Sequence, residues 1–424
     1  MIHSSFYEPR VYPLNGNVAP AEIDRAQTID PTVSLNREKI EEIGRDGVVG
    51  YIKKTPTIGY RLTQLEYGSM EFWRKVTNKA DSVLTLTLND FKTPTFDICG
   101  YLTDDDGTFR GTIHYPKLRT SGFSLSIGDP DAIIERSFDF VGEKATIWQG
   151  DNKYFIYLKK ECGSGETGDV DIVIGSGDYA DYPDPVQDPD TLAGDNSDYF
   201  VRIIKVKAGV TTEMNYGSAS GEFEYVTGTK TITVHGAAVD DVYKVYYTAS
   251  SYITGGDPFV ENDSDPAGIL ADSCDIYVYI PGSGKPSSSD YLYRVQSATI
   301  DVSFDREDVK EIGNREVVKR GIRDKTVTVT LGRILEQFTM EEVLRGVASG
   351  YGKIDIEKFT DQAAVIVKVY EDNTKSTFKY GFKMTGLTGS ELRGGPGINA
   401  YVNKENALEG EDLTITSDAG ELGI

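Results

Sequence analysis

Cysteine is scarce and odd in number: Cys99, Cys162 and Cys274 are the only three in 424 residues. Their wide spacing excludes a disulfide framework and a metal knuckle, so buried thiols are expected at all three. Histidine is equally rare. His3, His114 and His235 belong to no ligand pair or nucleophile motif such as HExxH or GxSxG, so no catalytic or metal-binding residue is assigned. Positive charge is in deficit: 44 Lys plus Arg face 67 Asp plus Glu, a net charge of −23. That balance works against wrapping nucleic acid by neutralising its phosphates. No apolar run approaches the ~18 residues of a membrane span, and the N-terminal MIHSSFYEPR lacks the basic-then-apolar layout of a secretory signal. The expectation is synthesis in a cytoplasm, with no membrane partner.

What the chain does hold is strand-forming material. Forty-four Gly, 26 Tyr and many Thr and Val, with few long helix-forming runs, predict a mainly β protein with tight turns. The sequence also repeats itself. VSLNREKIEEIGRDGVV (33–49) and VSFDREDVKEIGNREVV (302–318) align without a gap at about half their positions. The echo continues through Ser69–Arg74 and Thr339–Leu344, through YLTDDDGTF (101–109) and YEDNTKSTF (370–378), and through Phe140–Glu143 and Leu408–Glu411. Two units of one fold follow, at 1–148 and 274–424, each with strands and one short helix. Ser69 and the pair Thr339 with Glu342 mark the helix starts, and Met340, Val343, Leu344 and Val347 form an apolar stripe for packing on a sheet. Residues 149–273 have no counterpart. They read as acidic Gly- and Pro-rich loops followed, from Tyr199, by a small antiparallel insertion. Alternation in 84–88 (LTLTL) and 326–331 (TVTVTL) gives sheets one dry face and one wet face.

Several stretches imitate chemistry. Gly163 to Gly168 matches GxGxxG, but a strand-like segment follows where a phosphate-binding helix is required. Gly282-Ser283-Gly284-Lys285 lacks the first Gly of a P-loop, and Pro286 stands where a magnesium-holding hydroxyl belongs. Asp104-Asp105-Asp106-Gly107 lacks EF-hand spacing and reads as a hairpin turn. No cofactor is implied.

The two copies, VSLNREKIEEIGRDGVVGYIKK and VSFDREDVKEIGNREVVKRGIR, resemble the tube domain of tailed-virus tail tube proteins, in the doubled form. The resemblance covers residues 1 to about 148 and 274 to 424, and the insertion departs from it. It implies two β-sandwich or barrel-forming domains per chain, closing as homotrimeric pseudo-sixfold rings that stack into the tail tube of a virion. It also implies passage of viral DNA without specific binding, and as partners the tape measure, terminator and tail tip or baseplate proteins. The loops at Gly44–Pro56 and Gly313–Lys325 would reach the next ring, which makes Arg45, Asp46, Lys53, Lys54, Asn314, Arg315, Lys319 and Arg320 its expected inter-ring contacts. The insertion would project outward. Two alternatives stand beside this reading: a baseplate hub protein, which also resembles the tube in carrying two tube-like domains, and a surface β protein that binds glycans.

Overall fold

A computed structural model of the protein describes residues 2–41, 48–106, 108–191, 195–255, 268–280, 291–292, 294–310, 317–334, 338–345, 363–396 and 402–423. The fold is mainly β. In the first unit β1 (Ile2–Pro13) and β2 (Ala21–Glu22) precede β3 (Ala26–Ser34), a hairpin of β4 (Arg37–Glu41) and β5 (Val48–Lys53), and β6 (Thr57–Leu65). Helix α1 (Glu71–Val76) follows, then β7 (Thr85–Thr87), β8 (Phe96–Asp104), β9 (Phe109–Ile127), β10 (Glu135–Gly142) and β11 (Thr146–Trp148). The insertion contributes β12 (Tyr154–Glu161), β13 (Gly168–Val173), β14 (Arg202–Lys207), β15 (Val210–Glu213), β16 (Asn215–Tyr216), β17 (Glu222–Val226), β18 (Thr231–Ala237) and β19 (Val242–Ala249). The second unit holds β20 (Cys274–Tyr279), β21 (Val295–Lys310), β22 (Val317–Ile334), helix α2 (Thr339–Arg345), β23 (Ala363–Tyr370), β24 (Phe378–Pro396), β25 (Val402–Gly410) and β26 (Asp412–Thr416).

Both units run through the same pairing order. The first pairs β3-β6-β10-β9 on one side and β1-β8-β9 on the other. The second pairs β21-β22-β25-β24 and β20-β23-β24. In each, one 19-residue strand, β9 or β24, belongs to both sheets. Such a strand must bend, and both bend at their ninth residue, Lys117 at φ 53 and Gly386 at φ 71. Both also carry a bulge four residues later, at Ser121 and Ser390. Glycine suits this backbone and lysine strains it.

The units are joined, not merely adjacent. The last six residues of β9 pair antiparallel with β21, from Gly122 opposite Ser303 to Ile127 opposite Ala298. The result is an eight-strand run, β3-β6-β10-β9-β21-β22-β25-β24. On its dry side α1 places Trp73, fully buried, 4.9 Å from the Phe123 ring and 6.1 Å from that of Phe382, so one core serves both units. Met340 and Leu344 of α2 are buried as the stripe requires, and Val347 lies outside the described residues. The helix starts differ slightly from the sequence reading. Ser69 Oγ accepts the N–H of Glu71, yet Met70 occupies the cap of α1, and Thr339 lies inside α2.

The insertion has its own core between two four-stranded sheets, β12-β19-β14-β15 and β13-β18-β17-β16. Strands begin earlier than the sequence suggested: β12 and β13 supply the outer strand of each sheet because Phe155, Ile156, Leu158, Val170 and Ile172 fall on buried faces. Tyr12, Leu14 and Cys99 of the first unit pack on Phe155, Ile204, Val206 and Tyr246, which fixes the insertion on that unit. Lys244, fully buried, donates to the carbonyls of Pro13 (2.9 Å) and Val18 (3.0 Å) across this joint. The GxGxxG stretch is the connection between β12 and β13, with Gly163 N–H donating to Glu166. Asp104 and Asp106 both accept the N–H of Thr108 and so close the β8–β9 hairpin. The three cysteines are free and buried.

Candidate functional site

The eight-strand run ends in an open edge at β3, and the internal duplication shows what that edge lacks. Val33 and Val302 occupy the same repeat position, yet Val33 is 52% exposed and Val302 3%. One strand step farther, Leu35 is 52% exposed and its counterpart Phe304 4%. The difference is β9, which lies beside β21 and brings Phe123 to 6.3 Å from the Phe304 ring, with Phe91 at 6.0 Å. Arg306 seals that joint by donating to the carbonyls of Thr120 (2.6 Å), Phe91 (3.0 Å) and Lys92 (3.2 Å). Its counterpart Arg37 is exposed. The stretch from Val33 to Arg37 therefore repeats the residues that make the joint in the second unit, and among the described residues no strand pairs with β3 on the side away from β6. At the far end of the run, Glu391–Pro396 of β24 repeats the position of the joining half of β9.

The opposite face of the run is wet and acidic. One row across the strands reads Asp30, Arg61, Asp139, Gly122, Ser303, Thr326; the next reads Thr28, Thr63, Ser137, Ser124, Asp301, Thr328, Glu409, Thr388. A third reads Leu65, Glu135, Ser126, Thr299, Thr330, Ala407, Glu391. The rows hold six carboxylates and one arginine among hydroxyls and small residues. Burial raises the Asp301 pKa, with Arg61 opposing it.

Of the expected inter-ring residues, Arg45, Asp46, Asn314 and Arg315 lie outside the described residues. Lys53 ends β5 opposite Arg37, and Lys319 and Arg320 lie on β22 opposite Val309 and Asp308. Lys54 is exposed and pairs with Glu38 at 2.7 Å. The β4–β5 hairpin forms a two-stranded sheet of its own and exposes Ile40, Tyr51 and Ile52 as well as charge. Sequence reading weighted the charge and missed these apolar side chains.

A second feature was not legible in the sequence: a cleft of about 1100 Å³ between the first unit and the insertion. On one side stand His114, Pro116 and Lys117 of β9, then Lys144 and Trp148. Gly111 lets β11 sit against β9, because a Cβ there would meet the Trp148 carbonyl. On the other side stand Phe200, Arg202, Asn215 and Tyr216. Beneath, Asp97 is fully buried, with His114 Nε2 2.7 Å from its Oδ2, and Arg202 Nη1 (3.0 Å) and the Lys117 N–H (2.8 Å) donating to its Oδ1. Burial works to raise the Asp97 pKa, but Arg202 and His114 together hold it below the usual carboxylate value. Burial also lowers the His114 pKa, more than Asp97 raises it. Trp148 Nε1 donates to His114 Nδ1 at 3.5 Å, so both ring nitrogens are engaged and neither is available as a general base.

No protein-family model matches the sequence, and no curated protein matches it. Among solved structures, the chain is similar to one in the cryo-EM structure of the anti-feeding prophage (AFP) baseplate, 6-fold symmetrised. The identity is 12%, over 33% of this chain and 91% of that one, with a TM-score of 0.24. So shallow a likeness assigns the chain neither a fold nor a role.

His235 Nδ1 lies 3.0 Å from Asp169 Oδ1 on the insertion, a hydrogen bond that raises its pKa against partial burial. Among the described residues no group of three or more His, Cys, Asp or Glu side chains could hold a metal ion, and no helix is long and apolar enough to cross a membrane.

Proposed function

We propose that the protein is a ring-forming structural protein of a virus tail, and that its rings stack as the tail tube. The observation that carries the reading is the contrast at one repeat position, Val33 open and Val302 covered. What covers Val302 is the second half of β9; the matching half of β24 in another copy is the segment with the same place in the fold. Head-to-tail joining of unlike edges closes into a ring when the rotation permits, and closure removes both open edges of the eight-strand run. Three copies, by the resemblance above, give six units around a bore. Pro31 and Pro396 lack N–H groups, so this joint rests on side-chain packing as well as on ladder bonds. With the dry face turned to the outer layer, the acidic rows line the bore. Fixed carboxylates repel phosphate and keep DNA moving instead of held.

Transposing the internal register puts Val33 opposite Leu392 and Thr32 opposite Arg393 of the next copy. Cysteine pairs at these two neighbouring positions sample both spacings of an antiparallel ladder. On oxidation one pair is expected to give a cross-linked ladder that ends at the trimer. Monomer only in both pairs, or a ladder without an end, would sink the ring. Trimers that never stack into cylinders would instead assign the protein to a single ring at the tail tip, as a hub.

A further inference from the structure

We propose that the cleft between β11 and the insertion is a saccharide-binding site. The inference stands apart from ring formation, because both walls belong to one chain. At about 1100 Å³ and open to solvent, the cleft exceeds what one small metabolite fills and suits a segment of an oligomer. Its walls hold three half-buried aromatic side chains, Trp148 from the first unit and Phe200 and Tyr216 from the insertion. A pyranose ring has an apolar C–H face and a rim of hydroxyls, so it needs aromatic surface with hydrogen-bonding groups beside it. Those groups are present and of both signs: Lys144 and Arg202 on one hand, Asp198 and Glu213 on the other. Hydroxyls can donate to the carboxylates and accept from the cations. The lining holds five basic and four acidic side chains, a near balance that offers neither a polyanion nor a simple cation a field of one sign.

Arg202 lines the cleft while its Nη1 donates to the buried Asp97 at 3.0 Å, which holds the guanidinium in place on that wall.

The test uses the full chain on an array of defined neutral and uronic-acid oligosaccharides, then fluorescence titration with the strongest binder. The chain has two tryptophans, and Trp73 is sealed in the core, so a binding-linked change in emission reports Trp148. Expected are a blue shift with protection from acrylamide, and a loss of affinity of about tenfold or more in both Trp148→Ala and Tyr216→Ala at unchanged melting temperature. If Trp148→Ala fails to fold, Tyr216→Ala decides alone. The proposal falls if no oligosaccharide is retained at a Kd below about 1 mM. It also falls if affinity survives in the folded variants, or if acidic peptides bind and saccharides do not.

Discussion

Val33→Asp separates assembly from folding, and the repeat provides its own control. Covering a Val side chain completely is worth about 1.5–3 kcal/mol. Val33 passes from 52% exposure toward the 3% of Val302 when a strand joins β3, so roughly half of that, about 1 kcal/mol, belongs to the joint. Placing a carboxylate there loses this gain and adds the desolvation of a charge with no cation in the equivalent position, about 2 kcal/mol or more. The joint should weaken by about 3 kcal/mol, or roughly a hundredfold. In the free chain the same side chain faces water, and the cost to folding should stay within about 0.5 kcal/mol. Val302→Asp is the opposite case, since its side chain is sealed under β9 in every copy. Sedimentation velocity should show Val33→Asp as monomer at concentrations where the parent forms rings, with an unchanged thermal transition, while Val302→Asp loses the transition itself. If Val33→Asp sediments like the parent, or melts as low as Val302→Asp, then β3 is not the joining edge.

Gly386→Ala should cost about 1–2 kcal/mol in denaturant unfolding, because φ is 71° although nothing lies within 4 Å of the new Cβ. Lys244 is held at a pKa of about 7, by burial first and then by Lys159 and Lys75. Its folded pKa is depressed, so the unfolded chain binds the extra proton between pH 7 and about 10.5, and stability should rise with pH across that window. Lys244→Met should flatten the slope between pH 7.5 and 9 by about 1 kcal/mol per pH unit, read from urea midpoints, and an unchanged slope would refute the assignment. Reversing Arg315 and Lys319 together should shorten assembled cylinders without changing ring formation; cylinders of parent length would remove those residues from the inter-ring contact.

The repeat was legible because 33–49 and 302–318 retain their residues, and with it came the order of strands and helices. The alternation of 326–331 likewise fixed a dry and a wet face, and Val327, Val329 and Leu331 are fully buried. Which edge stays open was not legible, since Val33 and Val302 are the same residue and differ only through a neighbour far along the chain, Phe123. The buried charges show the same limit. Arg136 with Glu66 in the first unit answers to Lys404 with Arg333 and Glu341 in the second. The cation at Arg136 and Lys404 keeps its repeat position, while the carboxylate has moved from the segment before α1 into α2 itself. The cleft escaped notice because its walls come from segments about fifty or more residues apart, and no local pattern marks Trp148 against Phe200.

Among the described residues the core of the joint at the insertion is shared with the first unit, so alternate modules around the proposed ring would carry a lobe and the ones between would not. Inside, a travelling duplex would meet six nearly equal modules; outside, an enclosing protein would meet only three raised features. In such a ring, anything that grips the exterior by those features would index in steps of 120°, twice the step set by the lining.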